Sequence, residues 1–240
     1  PAWAQSSNGA APYGGWSLGV GAVSSQQPYI GADSKTRVLP LVYFDSRWVR
    51  LAGTTADLKL LNHAFTPTQQ VAAGLRLRYS GEGYEASDSP ALAGMAERKD
   101  GFWGGVGATW RNPVAQVSAE WLTDLSGHSK GQKIQLQVDR RFGWNSFGLT
   151  PRVQAQWLDK DHVTYYYGVR AEEALPTRAA YAAKSAMTME AGLRLDYSLA
   201  THHTMFLDLS ATRLPDEIRD SPIVDRKTMS RVAVGYIYRF

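Results

Sequence analysis

A few groups of residues have types and spacings that could do chemistry. Gly127-His128-Ser129-Lys130-Gly131 matches G-x-S-x-G, the turn that lifts a serine hydroxyl above a hydrolase sheet. That turn works between a strand and a helix, where a sharp backbone reversal holds the hydroxyl clear of its neighbours. Here the five residues lie among small polar residues between two alternating segments, so the match reads as a hairpin loop. Asp159, Asp161 and His162 offer carboxylates beside an imidazole, the pairing that general acid–base catalysis needs. No second acidic pair is identifiable to complete such a site. His63 and His128 stand alone, while His202 and His203 are adjacent in a tight turn where their side chains diverge. No carboxylate stands beside that pair to make a metal set. Phosphate-loop and dinucleotide motifs do not occur. The chain therefore reads as a non-enzyme without cofactor or metal.

The largest charged constellation is spread along the chain: Arg76, Arg78, Arg111, Glu120, Asp139, Arg152, Glu190, Arg194, Asp196, Asp208, Arg231 and Arg239. Each falls on the polar parity of an alternating segment, so all face one side of a sheet. Mixed signs on a buried face imply ion pairs stapling opposite walls, because a buried charge needs a partner. Around a water-filled passage the same residues would line a narrow selective pore. Small barrels fill with side chains and only larger ones leave a wide channel, which favours the closed interior.

The elements that carry these charges are strands. From Thr228 to Phe240, Val232, Val234, Tyr236, Tyr238 and Phe240 share one parity and Arg231, Ala233, Gly235 and Arg239 the other. One face is apolar and capped by aromatics, as where a strand's outside meets lipid and its inside meets water. Trp16-x-Leu18-x-Val20, Val71 to Tyr79, Phe102 to Trp110, Val117 to Trp121, Ile134 to Val138, Phe147 to Trp157, Met187 to Tyr197 and Met205 to Leu209 repeat the pattern. A segment near 37–45 offers Leu39, Leu41 and Tyr43 as its apolar set, and two short segments fall near 47–53 and 56–62. This makes twelve strands, or ten if 47–62 is one bent strand and another boundary moves. Most are about 10 residues long, the length a tilted strand needs to cross a bilayer. Short turns near 45–47, 63–68, 111–113, 143–146 and 200–203 alternate with long segments at 24–36, 81–101, 123–132, 158–186 and 213–227, with 53–56 a short exception. The expected fold is a single all-β transmembrane antiparallel barrel over 15–240, with both termini periplasmic. A soluble sandwich would need the polar parity outside, yet that parity is rich in Gly, Ser, Gln and isolated ions rather than Lys and Glu.

Composition agrees. The 240 residues carry Lys+Arg 26 against Asp+Glu 22, a mild +4 with no clustered basic stripe, so nucleic acid is not an expected partner. There is no cysteine, which suits an envelope protein without disulfides. No uncharged apolar run reaches the roughly 18 residues of a transmembrane helix. Ala2-x-Ala4 near the start resembles a signal-peptidase site, making 1–14 the remnant of a signal peptide or a periplasmic lead.

Four loop motifs stand out: Pro28-Tyr29-Ile30-Gly31, Ser87-Asp88-Ser89-Pro90, Tyr165-Tyr166-Tyr167-Gly168-Val169 and Asp220-Ser221-Pro222-Ile223-Val224-Asp225. Physically they are turn formers, with an Asp or Ser capping its own backbone before a proline. With the terminal Tyr236-x-Tyr238-Arg239-Phe240, their order and spacing resemble the MipA/OmpV family of Gram-negative outer-membrane proteins. The resemblance implies an outer-membrane scaffold that brings a lytic transglycosylase to a penicillin-binding protein. It implies contact with outer-membrane lipid and lipopolysaccharide, and gives Phe240 the role of a signal for the barrel assembly machinery. The 158–186 loop is the best recognition candidate on size.

Overall fold

The computed structural model describes residues 15–240; the leader read at 1–14 lies outside the described residues. Thirteen strands follow one another: β1 (Gly15–Ser25), β2 (Lys35–Asp45), β3 (Val49–Ala52), β4 (Thr55–Thr66), β5 (Gln69–Ser80), β6 (Gly101–Arg111) and β7 (Gln116–Asp124), then β8 (Gln132–Asp139), β9 (Phe142–Trp144), β10 (Phe147–Leu158), β11 (Ala186–Ala200), β12 (His203–Arg213) and β13 (Thr228–Arg239). All pairings are antiparallel, and β13 closes on β1 from Ser17–Arg239 to Ser25–Arg231. The wall has twelve strands. The thirteenth, β9, continues the line of β8 beyond Arg140 and Arg141 and pairs with the same neighbour, β10. Closure leaves no free end to the sheet, which a membrane-crossing sheet requires because lipid cannot satisfy backbone donors and acceptors. No helix among the described residues is long and apolar enough to cross a membrane.

Alternation sets the outside. Leu18, Val20, Leu75, Val106, Ile134, Val153, Met189 and Val234 are each more than two-fifths exposed, as lipid-facing residues must be. At one end the outward rings include Trp16 against Phe44 and Phe147 against Tyr197; at the other, Tyr79 against Phe102. These are the two aromatic girdles of a transmembrane barrel. Both described chain ends lie at the short-turn end.

β2 corrects one expectation. Leu39, Leu41 and Tyr43 point inward, and Val38, Pro40, Val42 and Phe44 point to lipid. Leu18 and Val20, both exposed, pair with Val42 and Pro40, and Leu41 is buried against Gly21 and Gly235. Both faces of β2 are apolar, so alternation alone does not orient it.

The wall is uneven at one place. β3 is four residues long and meets β2 through only Tyr43–Ala52, Phe44–Leu51 and Asp45–Arg50. The β3–β4 hairpin turns at Gly53, whose φ of 58° is the left-handed conformation glycine accepts, well short of the top of β2.

Candidate functional site

At the long-loop end the connections fold over the mouth. Tyr29 and Ala32 come from the β1–β2 loop, Tyr84, Leu92 and Met95 from the β5–β6 loop. Val163, Val169 and Ala183 come from the β10–β11 loop, and Ile218, Ile223 and Val224 from the β12–β13 loop. All share one buried core with the inward strand ends Leu158, Ala186 and Leu214. These four loops are spaced around the whole circumference, so a core common to their tips spans the opening.

Its hub is α1 (Lys160–Tyr167) within the β10–β11 loop. Asp159 caps its N-terminus, accepting from the His162 N–H at 2.8 Å. Gly131 lets the helix lie against the start of β8, since a Cβ there would stand 2.7 Å from the His162 nitrogen. A helix C-terminus leaves carbonyls without intrahelical partners. Here three other loops supply the donors. Arg98 Nε donates to the Tyr165 carbonyl at 2.8 Å, the Tyr29 hydroxyl to Tyr166 at 3.2 Å and the Ser221 hydroxyl to Tyr167 at 2.6 Å. The motifs at Tyr29, Tyr166–Gly168 and Ser221 are therefore one structure. The fourth joins them, because the Ser89 hydroxyl donates to the Ile30 carbonyl, Pro90 lies against Gly31 and Asp88 pairs with Lys35 at 2.6 Å. Pro28 accepts from Asp225 N–H, and Asp220 and Pro222 flank the Ser221 turn.

Two ionic groups lock this cap. Arg98 grips Glu173 with both terminal nitrogens, at 2.9 and 2.7 Å, and both side chains are buried. Burial alone would raise the Glu173 pKa, but Arg98 and the N–H groups of Arg170 and Ala96 hold it down to about 2. Second, His162 faces Glu82 at 3.7 Å, and Lys133 reaches Glu82 at 3.3 Å while lying 3.9 Å over the Trp103 ring. Burial pushes the His162 imidazole down to about 4, against the pull of Glu82; Lys133 adds to the fall and Asp159 and Asp124 oppose it. Burial raises Glu82, but Lys133 and His162 outweigh it and bring it to about 2.

The sign of the acid response follows. Between pH 6.5 and about 4 the unfolded chain protonates His162 while the folded chain does not, so stability falls as pH falls through that window. The neutral His162 is worth up to about 3 kcal/mol. Below pH 4.5 the loss of the Glu82 carboxylate acts in the same direction. Thermal scans from pH 7 to 4 should show a falling midpoint, and His162→Gln should flatten that slope; a wild-type midpoint independent of pH contradicts the assignment.

Below the cap, the interior charges pair. Arg78 holds Glu120 at 2.5 and 2.8 Å, and Arg76 bridges Glu120 and Asp57, the latter at 2.6 Å. Arg152 grips Asp208 at 2.8 and 2.9 Å and reaches Glu190 at 3.3 Å. Asp196 joins Arg194 at 2.9 Å and Arg141 at 2.8 Å, and Asp139 accepts from Gln137. Arg231 is half-buried beside this group. Arg111 and Arg239 sit exposed at the short-turn rim, outside the buried network; Arg111 bonds Gln116, and the His202 ring donates to the Arg239 carbonyl. Phe240 donates its N–H to Trp16 and its ring is exposed. Arg98, Glu173, Glu82, Lys133, Asp57 and Arg141 were not anticipated. Lys133 was within reach, standing on the inward parity of a segment whose outward residues are Ile134, Leu136 and Val138.

The chemical candidates resolve as folding devices. The Ser129 hydroxyl donates to Asp124, which also accepts N–H groups of Ser126, Ser129 and Lys130, and the segment joins two strands. Asp159 is a helix cap. No group of metal-ligating residues occurs among the described residues.

A closed antiparallel barrel with a lipid-facing exterior and a charged interior defines an outer-membrane β-barrel protein. The profile of MltA-interacting protein MipA matches residues 18–240, and the chain belongs to that family. It is 27% identical to the outer membrane protein YiaT of Escherichia coli (strain K12), over 93% of this chain and 90% of that protein. It is 28% identical to outer membrane protein OmpV of Vibrio cholerae, over 77% and 73%. To the MltA-interacting protein of Escherichia coli (strain K12) it is 25% identical, over 95% and 91%. None of the three bears an enzyme's name.

Proposed function

We propose that this protein is a plugged outer-membrane barrel that serves the cell envelope as a scaffold, with a lytic transglycosylase as its partner. The observation that carries the closed reading is the convergence of three loops on the C-terminal carbonyls of α1, over a core that crosses the mouth. The partner class comes from the relative whose name is MltA-interacting protein. With the mouth plugged, what remains to act is the rim and the outer surface of the cap. The short-turn rim carries exposed Arg47, Arg111, Arg140 and Arg239, a positive ring suited to an acidic partner surface. A purified lytic transglycosylase should bind the barrel in lipid nanodiscs, and Arg140→Glu with Arg239→Glu should weaken binding at least tenfold. Equal binding by the double variant removes the rim, and no binding by wild type removes the partner. A narrow pore is the second reading, favoured by the partial exposure of Arg76 and Asp57.

A further inference from the structure

The gap above the β3–β4 hairpin is a break in the barrel wall. β2 runs from Lys35, but its pairing with β3 begins only at Tyr43. On the far side β5 stays joined to the hairpin as far as Tyr79, whose N–H donates to the Thr54 carbonyl at 2.9 Å, and only Ser80 stands beyond it, so the open edge belongs to β2. Between them, in the half of the wall nearer the long loops, no strand among the described residues fills the space.

The backbone shows which groups this leaves open. Gly53 N–H donates to the Val42 carbonyl at 3.1 Å, so the even-numbered residues of β2 aim their backbone groups toward the gap. Val38 presents an N–H and a carbonyl there, and Pro40 presents only a carbonyl. Proline at this edge bars another strand from pairing, so the gap is not built to take an extended peptide. Unpaired groups at membrane depth need a polar partner, which lipid tails cannot be.

The lining is unlike the rest of the interior. Leu39 points inward yet remains 38% exposed, which the gap beside it explains. Behind it, Leu41 rests on Gly21 and Gly235, and Phe206 continues the apolar surface. Inward positions on the opposite wall are instead charged and buried, as with Glu120 and Arg152. The outer flanks, Val38 and Leu77, belong to the lipid-facing surface. At the upper margin the Arg37 guanidinium lies over Gly81, where a side chain would collide with it; Asp100 approaches the same glycine and Asp88 feels the Arg37 charge, but neither carboxylate forms an ion pair with Arg37 within 4 Å.

We infer that this break is a lateral port that takes one hydrocarbon chain of an anionic amphiphile from the surrounding membrane, with Arg37 holding the acidic head. The chain lies on Leu39 and Leu41, and the polar head region meets the open backbone groups of Val38 and Pro40. The inference stands apart from the scaffold reading, since a closed mouth does not require a closed side.

The absence of cysteine makes a direct test clean. In phosphatidylglycerol-containing vesicles, a long-chain N-alkyl maleimide should label Leu39→Cys at least tenfold faster than Ala233→Cys, which faces inward but is 1% exposed. Equal rates, or labelling of Leu39→Cys by a short water-soluble maleimide alone, overturn the port. A spin-labelled fatty acid should bind wild type and Arg37→Lys alike and Arg37→Glu at least tenfold more weakly. Unchanged binding to Arg37→Glu overturns the role given to Arg37.

Discussion

Arg98→Ala is expected to cost about 3–5 kcal/mol and to free the cap while leaving the barrel wall intact. The guanidinium makes four hydrogen bonds, two to Glu173, one to the Tyr165 carbonyl and one to the Ala96 carbonyl, and the backbone N–H of Arg98 adds a fifth to the Tyr84 carbonyl. Only the last survives truncation. Glu173 would keep N–H groups from Ala96 and Arg170, both at 3.0 Å, but would remain a buried charge without a counter-charge. That uncompensated charge dominates the loss, because two backbone donors do not replace a bidentate arginine. Arg98→Lys should lose most of the same stability, since one ammonium cannot reach Glu173 and Tyr165 together. Arg98→Met with Glu173→Leu should recover much of it, as removing both charges removes the desolvation cost. Thermal midpoints of the three variants, with hydrogen exchange over 159–185, check this. An Arg98→Ala midpoint equal to wild type contradicts the lock.

What the sequence reveals and conceals here has physical causes. Strands whose two faces differ in polarity are legible from parity, so Arg76, Glu120, Arg152 and Asp208 can be placed inside by counting. β2 defeats counting because Val38, Pro40 and Val42 are as apolar as Leu39 and Leu41; only pairing with exposed Leu18 and Val20 settles it. Asp57 stands near the start of β4, where a register shift between Lys59 and Leu61 breaks the alternation, so Leu58, Leu60 and Leu61 share no single parity. Arg141 lies in the break between β8 and β9, where parity is lost. The cap is less legible still. Its defining contacts run from side chains to carbonyls across separations such as Tyr29 to Tyr166 or Ser221 to Tyr167, and no local pattern encodes them. Turn chemistry marks each motif as a rigid loop, but that the four loops share one core is a property of closure.

Purified protein in planar bilayers is expected to show no steady single-channel steps. Ions crossing the barrel axis would meet the shared core at the long-loop end, where Leu92, Val163, Ile218 and Ile223 are wholly buried. Beneath it, Arg78, Glu120, Arg152, Arg194, Asp196 and Asp208 are each between 3 and 7% exposed, whereas the walls of a water-filled pore stay wet. The lateral gap offers no ionic route either, because it leads into lipid. Replacing residues 160–183 with a short Gly-Ser linker should change the outcome. It removes α1, the acceptor for three loops, and leaves the twelve-pair β10–β11 ladder to hold the wall. Steps should then appear, and Arg76→Gln, thinning the charge of the exposed interior, should alter their ion selectivity. Steady steps from the intact protein, reduced by Arg76→Gln, would replace the plugged scaffold with the pore. Silence from both proteins, with folding verified by circular dichroism, would mean that the paired interior charges seal the barrel without help from the cap.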